Sequence, residues 1–288
     1  MIARTDAGTG SPDSSGPGRL TWKLALPSAE VPGIPSDWPM ERLRDWAWGG
    51  ATGAGVRVCI LDSGIEPDHP LVGPLDGAYA AVPAQDAGAG YGVLPEPPHD
   101  RFGHGTACAG IIRSLAPQCS LTSVRVLGGK TGSGDALLAG LRWAISEGFD
   151  VVNLSLSTTK PRYTPQLREL ADEAFFRGTV LVASAHNMPV ESFPWRFSSV
   201  ISVGSHTVPD PELIYYNPYP PVEFFAQGQD VQVAWSGHGT KKVSGNSFAT
   251  PRIAGLCTLV LSKHRNLRPF QIKNILFLAA RNVGYRDE

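Results

Sequence analysis

The segment GVRVCILDSG, residues 55–64, sets β-branched and apolar residues in an almost unbroken run and ends it on Asp62. A half-exposed strand would alternate apolar with polar positions; a continuous run suits a strand covered on both faces, as in a parallel sheet. Further runs of the same kind follow at LTSVRVL (121–127), VVNLSLS (151–157), TVLVASA (179–185) and SVISVGS (199–205). Helical spacing fills the intervals between them. Residues 135–147 open on Asp135 as the expected N-cap, put Leu137, Leu138, Leu141, Ala144 and Ile145 on one face, and stop before Gly148. Residues 166–177 and 269–280 read similarly, the second with Pro269 in its first turn. Strands alternating with helices predict an α/β fold, a three-layer αβα arrangement with a mostly parallel central sheet. Its active residues are expected at the carboxyl ends of the strands.

With 288 residues, 42% hydrophobic and 18% charged, the chain has the composition of a soluble protein with one large core. A formal net charge of −1, with no Lys/Arg block, removes the electrostatic case for nucleic acid or an anionic membrane as a partner. The first twenty residues hold no apolar stretch of the secretory type, and the expected location is the cytoplasm. Cys59, Cys108, Cys119 and Cys257 lack the close spacing of a zinc site and are expected as free thiols packed in the core. Residues 1–40 hold six Pro, five Gly and five Ser, so 1–37 reads as a flexible arm ahead of one domain over 38–288. Two other Pro/Gly-rich stretches, 73–99 and 207–222, read as long loops.

Three segments carry chemistry. Asp62, followed by Ser63-Gly64, places a carboxylate at the sheet's carboxyl edge. His104 lies between Gly103 and Gly105 in DRFGHGTACAGII (100–112), ahead of a helix bearing Ala107, Ala109, Ile111 and Ile112. Ser247 stands in GNSFATPRIAGL (245–256) where a helix begins, with Pro251 expected inside its first turn. Each alone has an ordinary structural explanation as a turn aspartate, a surface histidine or a serine N-cap. A helix N-terminus, however, also favours developing negative charge.

In the order Asp, His, Ser, the segments DSG, GHGT and GNSFATP together resemble the subtilisin-like serine peptidases, or subtilases. The resemblance runs from about Trp38 to Ala280 and takes in His69-Pro70, RVLGGKTGSGDALLAGLRWAI (125–145), and VLVASAHN ahead of FPWRFSSVISVG. It implies a serine endopeptidase working through an acyl-enzyme: Ser247 attacks, His104 takes its proton, and Asp62 orients the ring. It also implies Asn187 as side-chain oxyanion donor, beside the Ser247 N–H. The substrate would lie as an extended strand between Gly132-Ser133-Gly134 and Ser155-Leu156-Ser157. The acyl-side pocket would be walled by 155–158 and 183–187, with Glu191-Ser192 at its base and Glu191 favouring a basic substrate residue.

Departures from the family pattern cluster at the same places. Ser157-Thr158 and His186 stand where glycines are common and add bulk near the substrate; Asn246 replaces Thr, Phe248 replaces Met and Arg252 replaces His. Phe248 cannot form a sulfoxide, so peroxide is not expected to inactivate through that position. Cys108, one turn after His104, reads as core packing. No cofactor is required and no metal ligand is assigned: the family carries calcium sites, but no Asp-rich spacing marks one here. The absence of a secretion signal and the bulk added to the cleft lead to the expectation of a dedicated peptide-processing protease. Two alternatives share the residues: a peptide ligase or macrocyclase, if the cleft shields the acyl-enzyme from water, and a non-catalytic peptide-binding homologue.

Overall fold

The structure, a computed structural model, describes residues 40–84, 90–129 and 131–283; the arm expected over 1–37 lies outside them. Strands β1 (Arg57–Asp62), β2 (Gly77–Pro83), β3 (Tyr91–Pro95), β4 (Ser120–Arg125), β5 (Val151–Leu154), β6 (Val180–Ser184), β7 (Ile201–His206), β8 (Tyr215–Tyr216) and β9 (Phe224–Gln227) form one sheet. Their order is β3-β2-β4-β1-β5-β6-β7-β9-β8. Pairing is parallel from β2 through β9 and antiparallel only at the two edges. A separate hairpin, β10 (Val231–Trp235) with β11 (Gly239–Val243), stands apart from the sheet.

Strand β1 shows why its sequence is apolar on successive positions. Val58 and Ile60 enter one core layer, Cys59 and Leu61 the other, and all four are fully buried. The first layer joins the sheet to α1 (Met40–Ala47), α2 (His104–Leu115), α5 (Asn246–Lys263) and α6 (Pro269–Ala279). The second joins it to α3 (Gly134–Ser146) and α4 (Thr164–Arg177). The result is the three-layer αβα fold expected, with β1 at its middle. Truncating a side chain such as Ile60 to Ala is expected to destabilise by about 2–5 kcal/mol, because neither layer can collapse into the cavity without moving the sheet.

Two expectations change, and the loop expected over 207–222 holds apart from one short strand. Residues 73–99 are not simply a loop: β2 and β3 lie within them and extend the sheet beyond β4. Their sequences, GAYAAVP and YGVLP, are rich in Gly, Ala and Pro, so pairing rests on the backbone ladder, not on β-branched packing. Helix α3 is capped not by Asp135 but by Ser133, two residues earlier, whose Oγ accepts the Asp135 N–H at 3.1 Å. Within 207–222 only the two-residue β8 forms. The cysteines follow expectation: all four are buried and free, and burial raises their pKa values, that of Cys119 to about 11. No helix among the described residues is long and apolar enough to cross a membrane.

Candidate active site

Asp62 ends β1 and is 1% exposed; His104 is the first residue of α2. The ring Nδ1–H donates to Asp62 Oδ1 at 2.8 Å and lies 3.0 Å from Oδ2. Burial by itself would favour the neutral ring. The Asp62 charge and its hydrogen bond, aided by the Asp100 charge, outweigh burial, so His104 titrates above the usual imidazole value of 6.5. The ring sits between Phe248, 5.2 Å away centroid to centroid, and Phe102 at 6.3 Å.

What presents the ring is Asp100, which the sequence reading passed over. Its Oδ1 accepts from Ser63 Oγ and from the N–H groups of Phe102 and Gly103 at 2.8–2.9 Å. Its Oδ2 accepts from Thr106 N–H at 3.0 Å and Thr106 Oγ1 at 2.7 Å. One carboxylate thus ties the end of β1 to the loop and the first turn of α2, where negative charge also suits the helix dipole. The available signal was an aspartate placed to close an Asx turn just before the glycine-flanked histidine. The two glycines serve close approach: a Cβ on Gly105 would fall 2.0 Å from the Gly64 carbonyl oxygen, and Gly103, at φ 95°, lies against the Trp235 ring. Trp235 belongs to the β10–β11 hairpin, whose turn is held by Glu66 accepting from Gly237 and His238 N–H and by His69 Nε2 donating to Gly239 O.

Ser247 is the second residue of α5, so its N–H lies in the helix's first turn, where no intrahelical acceptor exists. Pro251 is not in that turn, as the sequence suggested, but in the next. A residue with an N–H there would bond the Ser247 carbonyl; proline cannot. That carbonyl accepts instead from Ser155 Oγ at 2.9 Å, with the Cys108 thiol at 3.7 Å. Burial, reinforced by the nearby Asp62 charge, raises Cys108 well above the ordinary thiol range, so it stays protonated and able to donate. Pro251 therefore releases the backbone oxygen of Ser247 to be gripped by β5 and α2. No hydrogen bond joins Ser247 Oγ to His104 in this structure, although both residues line the same cleft.

The cleft has a volume of about 620 Å³. Gly132, Ser133 and Gly134, then Ser155, Leu156 and Ser157, and Ser184 to Asn187 all line it. The Asn187 side-chain oxygen Oδ1 accepts the Asn246 N–H at 3.1 Å, which makes the NH₂ the opposite, donating end of the amide. Asn246 fixes this part of the cleft further: fully buried, it takes the Ser205 hydroxyl on Oδ1 at 3.0 Å and gives Nδ2 to Ala185 O at 3.2 Å. Thr158 and His186 line the cleft, as their added bulk suggested. Arg252 does not: it is buried, pushed down to about 10 by burial, and donates Nε–H to Gln227 O.

Glu191 overturns its expectation. Exposed and 3.4 Å from Arg196, it is absent from the cleft wall; Ser192 is buried and accepts Trp195 Nε1–H. Thr158 and Phe193 exchange two backbone hydrogen bonds there, at 2.9 and 3.0 Å, and this bridge ties the segment to the backbone of a cleft-lining residue. Among the described residues, one group of metal-ligating side chains converges within 4.8 Å, Asp62, His104 and Cys108. One carboxylate, an imidazole and a thiol do not match the roughly six to eight oxygens that calcium takes, so this group does not fit that ion.

A buried carboxylate that orients an imidazole, across a cleft from a serine at a helix N-terminus, is the layout of serine-type acyl-transfer hydrolases. The model of the subtilase family matches residues 53–287. Subtilisin DY of Bacillus licheniformis is 31% identical over 252 residues, covering 82% of this chain and 87% of the relative. Subtilisin Savinase of Lederbergia lenta is 32% identical over 247 residues with the same coverage, whereas the match to subtilisin E of Bacillus subtilis (strain 168) spans 63% of that relative. Among solved structures, a lanthipeptide protease superposes with TM-score 0.64 at 21% identity, covering 85% of this chain and 90% of that one. A cold-adapted subtilisin-like serine proteinase gives 0.60 at 24% identity, covering 85% and 86%. The chain belongs to the subtilase family, and its class is that of the serine-type peptidases.

Proposed function

We propose that the protein is an endopeptidase that processes peptide substrates through an acyl-enzyme on Asp62, His104 and Ser247. The observation that carries this reading is the hydrogen bond of 2.8 Å between His104 and buried Asp62, in a cleft that Ser247 and Asn187 also line. With Nδ1 committed to Asp62, the other ring nitrogen, Nε2, is the base that takes the Ser247 proton as Oγ attacks the scissile carbonyl. The oxyanion is received by the Ser247 N–H and the Asn187 NH₂, and the imidazolium then protonates the leaving amine. Water repeats the sequence to release the acid. The substrate lies extended between 132–134 and 155–157, joined by backbone hydrogen bonds.

A dedicated processing role is supported by the bulk of Ser157, Thr158 and His186 in the cleft, and by the likeness in fold to a protease of lanthipeptides. A cytoplasmic location is part of the same proposal; four free, buried thiols suit a reducing compartment, and cell fractionation tests it. The function is tested by incubating the protein with a peptide mixture and sequencing products by mass spectrometry. Selective hydrolysis that disappears in Ser247→Ala is expected. Cyclised or ligated products would redirect the reading to transpeptidation, and an unchanged mixture would contradict it.

A further inference from the structure

The chain as a whole carries a net charge of −1, yet its cleft does not share that balance. Of the ionisable side chains among the described residues lining it, His104, Lys160 and His186, none is a carboxylate. The nearby acids are engaged elsewhere: Glu191 with Arg196, and Asp135 with the Tyr163 and Ser133 hydroxyls at 2.9 and 3.3 Å. Asp62 lies buried behind the His104 ring. Lys160 is exposed, and its ammonium makes no hydrogen bond or ion pair with any described residue.

The backbone under this ammonium is firmly set. The Lys160 N–H donates to Thr158 Oγ1 at 3.3 Å, its carbonyl accepts Tyr163 N–H at 3.2 Å as a short 3₁₀ turn begins at Pro161, and the Thr158–Phe193 bridge lies just before it. Lysine therefore stands at a fixed point on the wall that continues from Ser155 to Ser157, where the peptide segment on the acyl side of the scissile bond is proposed to run. A long flexible cation on a rigid base, in a cleft that no carboxylate among the described residues lines, gives a positive potential that walls of low dielectric focus toward the bound strand.

We infer that Lys160 is a specificity-determining residue that selects peptides bearing Asp or Glu on the acyl side of the cleaved bond. This deepens the proposed function and rests on it for the placement of the substrate. It also reverses the preference for basic residues expected from Glu191, because the charge that faces the cleft is Lys160. The pair is partly solvated, so the expected discrimination is modest, about fivefold between a glutamate and its neutral isostere, and it weakens with salt.

The test separates binding from chemistry by using the Ser247→Ala protein. Peptides carrying a single Glu, Gln or Lys at each acyl-side position in turn are titrated by calorimetry at low and high salt. At one position Glu is expected to bind about fivefold more tightly than Gln, with Lys weakest. The preference should vanish in the Lys160→Gln background and invert in Lys160→Glu. Binding without discrimination by charge, or a Glu preference untouched by Lys160→Gln, overturns the assignment and leaves the proposed function standing. No binding of any peptide at millimolar concentration overturns both.

Discussion

The two sides of the cleft are held by opposite means. On the imidazole side one carboxylate, Asp100, gathers five donors from the end of β1, the loop and α2, and a second, Asp62, holds the ring itself. On the serine side the grip is on a backbone carbonyl, released by Pro251 and taken by Ser155, while Asn246 locks the loop that carries Asn187. The first arrangement depends on charge and sets the protonation of a ring. The second uses neutral groups and sets position alone. Loss of a part on one side should accordingly change how activity depends on pH, and on the other only how much activity there is.

The largest effect expected among these holding groups is at the oxyanion. Asn187→Ala should lower kcat by about 10²–10³-fold, the scale set by subtilisin itself, with KM nearly unchanged, because the amide acts on charge that develops only in the transition state. An equal rise in KM would instead place Asn187 in ground-state binding. Asp100→Asn comes next. It keeps the shape but removes a negative charge that helps raise the His104 pKa. The ring must be neutral to act as base, so activity rises with pH through that pKa; lowering it moves the acid limb of kcat/KM to lower pH. A limb that stays put while kcat falls would show Asp100 to be purely structural. Ser155→Ala should have the smallest effect, a stability loss of about 1–3 kcal/mol from a carbonyl left with only the distant thiol, and no movement of the acid limb. Thermal unfolding and a pH profile on the same sample check both halves.

What the sequence made legible follows the same division. Strands β1, β4, β5, β6 and β7 lie between two apolar layers, and their residues announce it, since a strand buried on both faces has nowhere to place polar groups. Strands β2 and β3 form at a sheet edge, half exposed, from residues that favour no particular state, and the ladder to β4 decides them. At the site, Asp62, His104 and Ser247 were singled out only by their segments taken together, and Asn187 only by the family resemblance those segments carry. The roles of Asp100 and Asn246 were not legible, because they lie in the hydrogen bonds these side chains make with segments that only folding brings near. Pro251 misled for a related reason. Its meaning depended on where α5 starts, and a shift of the helix start turned a harmless first-turn proline into the feature that frees the Ser247 carbonyl.

The central claim is that Asp62, His104 and Ser247 act as one unit, with the imidazole as base. The most direct measurement is the rate at which a fluorophosphonate modifies the protein across pH, followed by intact mass and mapping of the adduct. A single adduct on Ser247 is predicted, forming at a rate that climbs with pH through an apparent pKa above 6.5 and collapsing in His104→Ala. Failure of Ser247 to react in folded protein, or reaction at a rate indifferent to pH and to the loss of His104, would contradict it.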